Sequence, residues 1–438
     1  MAITVVTPLE ISSRKIMLAS SNSDWETDNN NIHSNSYHST QSFAAKRTRF
    51  PIPNHFYQYY LKIAYYLCIF PFKLIEDSQG SYQVQKWLPQ GILCGVFHLN
   101  GYWFIASGLR EFSTETIIQD NFVYFTLLQR VTNCCYTLSF FDCVFRRDSN
   151  FRSIVTDLNS GVQLLEHQLI LKVKIAIFSI AFLYFILALF NTLWSIDHLE
   201  NHLDPRLVLS EFCHYGRNLL FLQSQTHDDA SNSNGTRIHS NVNSSSNFHW
   251  TDVVLTLIGF VVPFSRWLVV YFLDLLIIVT TLTLRIAVTH FVAKLHDSNF
   301  SYDDIMKEYK YLKGLSADIN SAVGLTVLMY FTDSVLYFSV SFHSTFTAEG
   351  VLNKIVVPLF FLSMTGWMLL AADTCLKMSR FKIWVRDMTL PGPNVVEEQL
   401  KTIMLLDELN DFPVGIEANG LFMITYAFIG KVIYSWKK

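Results

Sequence analysis

The stretch "VVLTLIGFVVPFSRWLVVYFLDLLIIVTTLTLRIAVTH" runs from Val253 to His290 with Arg266, Asp274 and Arg285 as its only formal charges. A bilayer core takes ~20 helical residues, and this segment is roughly twice that. No soluble core needs so long an apolar run. One helix that crosses a membrane and then projects beyond it explains both the length and the composition. The expected fold is therefore all-α, with long helices that outrun the bilayer.

The rest of the chain fits that reading. A length of 438 residues would ordinarily suggest two or three soluble domains. Yet 50% of the residues are hydrophobic and only 16% are charged, against about 25% charged in soluble domains. One polytopic membrane domain over 51–438 is expected. A net charge of -3 does not point to nucleic acid or to any strongly charged partner. The seven cysteines form no CxxC pair, and no Cys/His cluster has zinc spacing, so neither a metal nor a cofactor is expected. No signal peptide is read at the start. "SNSDWETDNNNIHSNSYHSTQS" is polar and Asn/Ser-rich, and makes residues 1–50 an expected disordered cytoplasmic tail.

Seven stretches have the character of spans: Leu88–Leu109, Asn121–Phe145, Val173–Ile196, Val253–Leu284, Ile319–Phe342, Ile355–Met378 and Phe412–Trp436. Phe56–Leu74 is shorter, carries Lys62 and closes near Pro71, which suits an interfacial or re-entrant helix. Lys and Arg concentrate on the segments that face the cytosol if the N-terminus does, with Lys437 and Lys438 as the exception. This predicts a plasma-membrane protein with a cytoplasmic N-terminus. It also makes 197–250 a long extracellular loop, in which Asn234 and Asn243 head glycosylation triplets. "YDDIMKEYKYLKGLSADIN" leads helically into the fifth span. "NVVEEQLKTIMLLDELN" follows a cap at Asn394 and spaces Val396, Leu400, Ile403 and Leu406 on one face. These extensions predict a cytoplasmic helical anchor. An amphipathic helix lying on the membrane surface is the alternative.

No nucleophile elbow, P-loop, dinucleotide fingerprint or HExxH occurs, and no carboxylates are paired for acid–base work, so an enzyme is not expected. The informative residues are charges inside spans, which are costly and face a bundle interior or cavity. Arg266 and Asp274 share roughly one helix face, and Asp333 lies near the middle of the fifth span. Two readings stay open. Arg266 and Asp333 form polar anchors of a ligand pocket, or they lock helices together, with Arg266 free to snorkel outward. Aromatic residues in the same spans, among them Trp267, Tyr271, Tyr330, Tyr337 and Trp367, suit a pocket lined by rings.

Several landmarks fall in order: the polar tail, "YYLCIFPFKL", seven spans, "LSADINSAVG" leading into the fifth, and a close on "FPVGIEANGLFMITYAFIGKVI". Together they resemble the arthropod gustatory receptors, relatives of the insect odorant receptors. The resemblance covers Phe56 to the end and is most specific from Leu315 to Ile433. It implies a ligand-gated, nonselective cation channel of four like or unlike subunits. A small-molecule tastant would bind among the outer halves of the spans, membrane lipid would surround them, and the last span would line the pore. The family's last span carries TYhhhhhQF, with h apolar. In one alignment that motif would begin near Tyr434, and most of the pore half is then missing or altered. In the other, Thr425 and Tyr426 begin it, which places Lys431 where it would repel cations. The first alignment is preferred, and no pore residue is assigned. A non-conducting, truncated subunit is the alternative function. A G-protein-coupled receptor would need an outside N-terminus, and a transporter would show internal repeats.

Overall fold

The computed structural model describes residues 56–76, 82–109, 121–160, 167–194, 205–219, 250–297, 302–347, 351–387, 395–411 and 413–436. The expected tail at 1–50 lies outside them. Helix α1 (Phe56–Tyr66) leads into an antiparallel hairpin of β1 (Phe72–Glu76) and β2 (Tyr82–Lys86), with Phe72 opposite Lys86. Then come α2 (Leu88–Leu109), α3 (Asn121–Phe141) with a π-helical turn over Asp142–Arg146, α4 (Asp148–Ser160) and α5 (His167–Trp194). The second half holds α6 (Pro205–Leu219), α7 (Trp250–Asp297), α8 (Tyr302–Thr347), α9 (Val351–Asp387), α10 (Val395–Asp411) and α11 (Tyr426–Trp436).

Helix α7 is the axis of the fold. It has 48 residues, about 70 Å at 1.5 Å per residue, so the long fourth segment is one continuous helix. Between Leu268 and Val279 nearly every side chain is buried; α1, α2, α5, α6, α8 and α9 all pack along the helix, α6 against its start near Leu255 and Gly259. Helix α8, with 46 residues, joins the lead-in "YDDIMKEYKYLKG" to the fifth span without a break. Four helices are long and apolar enough to cross a membrane among the described residues: Leu171–Leu193, Trp250–Ala293, Asp304–Ser339 and Val357–Arg386. Among the described residues the fold is all-α but for one short hairpin, as composition and periodicity predict.

Three expectations need correction. First, Phe412–Trp436 is not one helix. Residues 413–425 form a non-helical loop with Asn419 and Gly420 at positive φ, and α11 covers only 11 residues. At ~16 Å it is half a hydrocarbon core. Thr425 starts it as an N-cap, its Oγ1 accepting from the Phe428 amide at 3.2 Å. Second, the 197–250 segment is not all loop, because α6 lies within it. Third, on α10 only Leu406 of the predicted stripe packs on the core, whereas Val396, Leu400 and Ile403 are exposed. The stretch read as interfacial is α1 plus a strand, and one side of α1 (Tyr57, Tyr60, Leu61, Ala64) is fully buried in the bundle.

The loop before α11 is held by the other landmark that the resemblance singled out. Ser316, Asn320 and Gly324 recur every four residues along "LSADINSAVG" and so share one face of α8. Ser316 Oγ and Asn320 Nδ2 both donate to the Gly415 carbonyl, at 3.0 and 2.9 Å. Asn320 Oδ1 accepts from the Glu417 amide at 3.0 Å. Gly324 lets the loop approach, since a Cβ there would lie 3.2 Å from the Asn419 nitrogen and the Glu417 oxygen. The two sequence landmarks are therefore a helix face and the loop docked on it. Asn320→Ala removes two bonds to buried backbone and should cost about 2 kcal/mol. It should lower the thermal midpoint of the purified protein, whereas an unchanged midpoint would show that the loop does not depend on this contact.

Candidate functional site

Where α5, α7 and α9 meet, a cavity of about 300 Å³ opens on the outside of the bundle. This is at the low end of small-molecule sites. Tyr184 and Leu187 come from α5, Tyr271 and Ile278 from α7, and Phe360, Ser363, Gly366 and Trp367 from α9. Residues 360, 363 and 367 sit three and four apart, and so do 180, 184 and 187. Each helix thus turns one face to the space. The lining is mostly apolar; the Tyr184 hydroxyl and Ser363 Oγ meet at 3.0 Å, and the Tyr271 hydroxyl accepts from Asn191 Nδ2. Gly366 has no atom within 4 Å of where a Cβ would be, so its lack of a side chain is part of the open volume.

Rings connect this space to the protein interior. Tyr271 stacks on Tyr184 at 5.3 Å, on Phe360 at 5.5 Å and on Trp267 at 6.0 Å. Tyr337 reaches Phe360 at 5.9 Å. Trp367 touches Tyr330 at 5.7 Å, and Tyr330 touches Tyr136 of α3 at 5.5 Å. Offset and tilted pairs of this kind suit the ring quadrupole and contribute about 1 kcal/mol each beyond their burial.

Behind the rings lies a polar core. Asp274 is buried on α7, one turn from Tyr271 and from Ile278. Its Oδ1 accepts a 2.6 Å bond from the Tyr136 hydroxyl, and its Oδ2 has no hydrogen-bond partner among the described residues. Asp333 of α8 accepts from Thr132 and Asn133 of α3, at 3.2 and 3.4 Å. Arg266 lays its guanidinium 4.7 Å from the Trp267 ring, a cation–π contact, and feels the charge of Asp333.

Of the residues proposed from sequence, Tyr271 and Trp367 line the cavity. Trp267, Tyr330 and Tyr337 form the ring contacts around it. Asp333 is tied to α3, and Arg266 is stacked on Trp267. Asn234 and Asn243 lie outside the described residues. Sequence reading missed Tyr184, because α5 beyond Lys174 is apolar on every side and nothing marks its inner face. It also missed Ser363 and Gly366, although a glycine in the middle of "SMTGWM" signals open space or close approach. Among the described residues no group of three His, Cys, Asp or Glu is placed to hold a metal.

No family model matches the chain, and no curated protein is similar to it. Solved structures are. The insect olfactory receptor OR5 from Machilis hrabei in complex with eugenol aligns with a TM-score of 0.50 at 12% identity, covering 87% of this chain and 96% of that one. A second structure of the insect olfactory receptor OR5 from Machilis hrabei aligns at a TM-score of 0.46 and 12% identity, covering 87% of this chain and 98% of that one. The chain therefore has the fold of an insect olfactory receptor, and the resemblance read from the landmarks extends to the arrangement of nearly the whole chain.

Proposed function

We propose that this chain is a subunit of an insect-type chemoreceptor channel, of the gustatory kind, gated by a small molecule in the α5–α7–α9 cavity. The cavity carries the proposal: it is lined by rings and has a hydroxyl pair, Tyr184 with Ser363, to orient a ligand. Such a lining suits a compact, largely apolar molecule with one hydrogen-bonding end. The fold it shares with a receptor solved with eugenol supports the same use. Assembly as a homo- or hetero-tetramer and passage of cations belong to this reading. So does a plasma-membrane placement with the N-terminus in the cytosol, which the distribution of Lys and Arg supports.

The test uses the open space at Gly366. Gly366→Leu puts a side chain into the cavity at a site where a Cβ meets nothing, on a helix that prefers leucine to glycine. It should keep the protein folded and at the surface. With eugenol, a sugar and a bitter alkaloid as probes, any thermal stabilisation or cation current seen with the wild type should fall at least about tenfold, the loss of one good apolar contact. A response that survives Gly366→Leu unchanged would remove the cavity from the mechanism.

A further inference from the structure

We propose that a second cleft, between α1 and the first turns of the α5 span, binds the headgroup of an anionic glycerophospholipid, with its acyl chains laid along α5. The cleft has a volume of about 360 Å³. Helix α1 contributes Lys62 between Tyr59 and Tyr66, and α5 contributes Lys174. Among the described residues the lining holds two lysines and no acidic side chain. Lys174 Nζ lies 4.4 Å from the Tyr59 ring, which orients the ammonium at the mouth.

The two walls are fixed. Tyr57, Tyr60, Leu61 and Ala64 of α1 are buried in the bundle, and the Tyr60 hydroxyl donates to the Phe272 carbonyl of α7 at 2.9 Å. The Lys62 face of α1 is therefore held toward α5 instead of drifting on the membrane. Depth also fits. Leu171 begins the apolar span of α5, so Lys174 stands within its first turn, at the level where lysines reach phosphates.

What separates a lipid from a free anion is the continuation of the site. Below the lysines, Ile175, Phe178, Phe182, Ile186 and Phe190 are all exposed on one face of α5, 42 to 64%. They recur every three or four residues and form an apolar track ~22 Å long from Ile175 to Phe190. An anionic head at the lysines and a chain along this track complement both halves of the surface. A soluble phosphate would use only the first half.

The experiment is native mass spectrometry of the full chain purified in detergent, offered dioleoyl phosphatidylserine and dioleoyl phosphatidylcholine at equal concentration. Each lysine near a headgroup contributes enough that retention of phosphatidylserine should exceed phosphatidylcholine at least about tenfold. Lys62→Gln with Lys174→Gln should abolish the preference. Equal retention of the two lipids by the wild type would overturn the proposal, as would a preference that survives the double substitution. Displacement of phosphatidylserine by millimolar inorganic phosphate would also overturn it, in favour of a simple anion site. A photoreactive phosphatidylserine tests the wild type without any substitution. Labelling of the α1 and α5 peptides supports the cleft, and labelling confined to other helices refutes it.

Discussion

Tyr136→Phe is expected to lower the stability and yield of the folded protein, and Asp274→Leu in the same chain is expected to restore them. Asp274 is 2% exposed in the middle of the central helix. The Tyr136 hydroxyl is the one hydrogen-bond donor described for it, and its second oxygen has none. Taking away the donor leaves a buried polar group unsatisfied, at a cost of about 1–3 kcal/mol. That is a large share of the stability of a typical domain. Replacing the carboxylate by leucine removes the stranded group itself, and apolar replacements of buried polar pairs are often neutral. The double variant should therefore be more stable than Tyr136→Phe alone, reversing the usual addition of harmful changes. The measurement is the yield of monodisperse protein and its thermal midpoint across the cycle. A Tyr136→Phe protein as stable as the wild type would show that Asp274 does not depend on this bond.

Gly259→Ala and Gly216→Ala should each prise α6 off α7. The two helices run antiparallel with their backbones in contact. A Cβ on Gly259 would lie 2.0 Å from the Phe212 carbonyl oxygen, and one on Gly216 would lie 2.0 Å from that of Leu255. Backbone cannot yield as a side chain can, so the helices must separate. Separation would pull apart Phe212 and Phe260, whose rings are 5.5 Å apart, and the 2.8 Å ion pair of Arg217 with Asp252. Overpacking of this kind costs about 1–3 kcal/mol, with the lost contacts in addition. Gly314→Ala is the internal control. It lies in α8 with nothing near its Cβ and should gain up to about 1 kcal/mol from helix propensity. Opposite shifts in thermal midpoint for these glycine-to-alanine changes are the expected result. A fall with Gly314→Ala as large as with Gly259→Ala would sink the close-contact argument.

Helix α6 shows why part of the fold escaped sequence reading. Its buried residues Phe212, Cys213 and Gly216 do have helical spacing. They sit in a segment followed by the Asn/Ser-rich run at 231–247, whose polarity pulls the whole 197–250 stretch toward loop. The end of the chain erred the other way. Residues 412–436 are apolar enough to resemble a span, yet Pro413, Gly415, Asn419 and Gly420 mark a turn. Apolarity reports burial, and a buried loop is as apolar as a buried helix. The loop is stable because Ser316 and Asn320 satisfy its backbone, a fact that lives on another helix.

The amino-acid sequence determined the class of this protein. Membrane residence, helical content and the great length of α7 follow from composition and run length, which add up locally and need no partner. It also pointed to Tyr271 and Trp367, because large rings clustered in apolar runs suit the lining of a pocket between helices. Tertiary structure alone decided which faces meet. A helix such as α5, apolar on every side beyond Lys174, carries no record of its own rotation, so only packing against α1, α7 and α9 turns Tyr184 inward to the cavity and leaves Phe178 and Phe182 outside. The same packing brings Tyr136 to Asp274 across 138 residues, a distance in sequence over which no local pattern reaches.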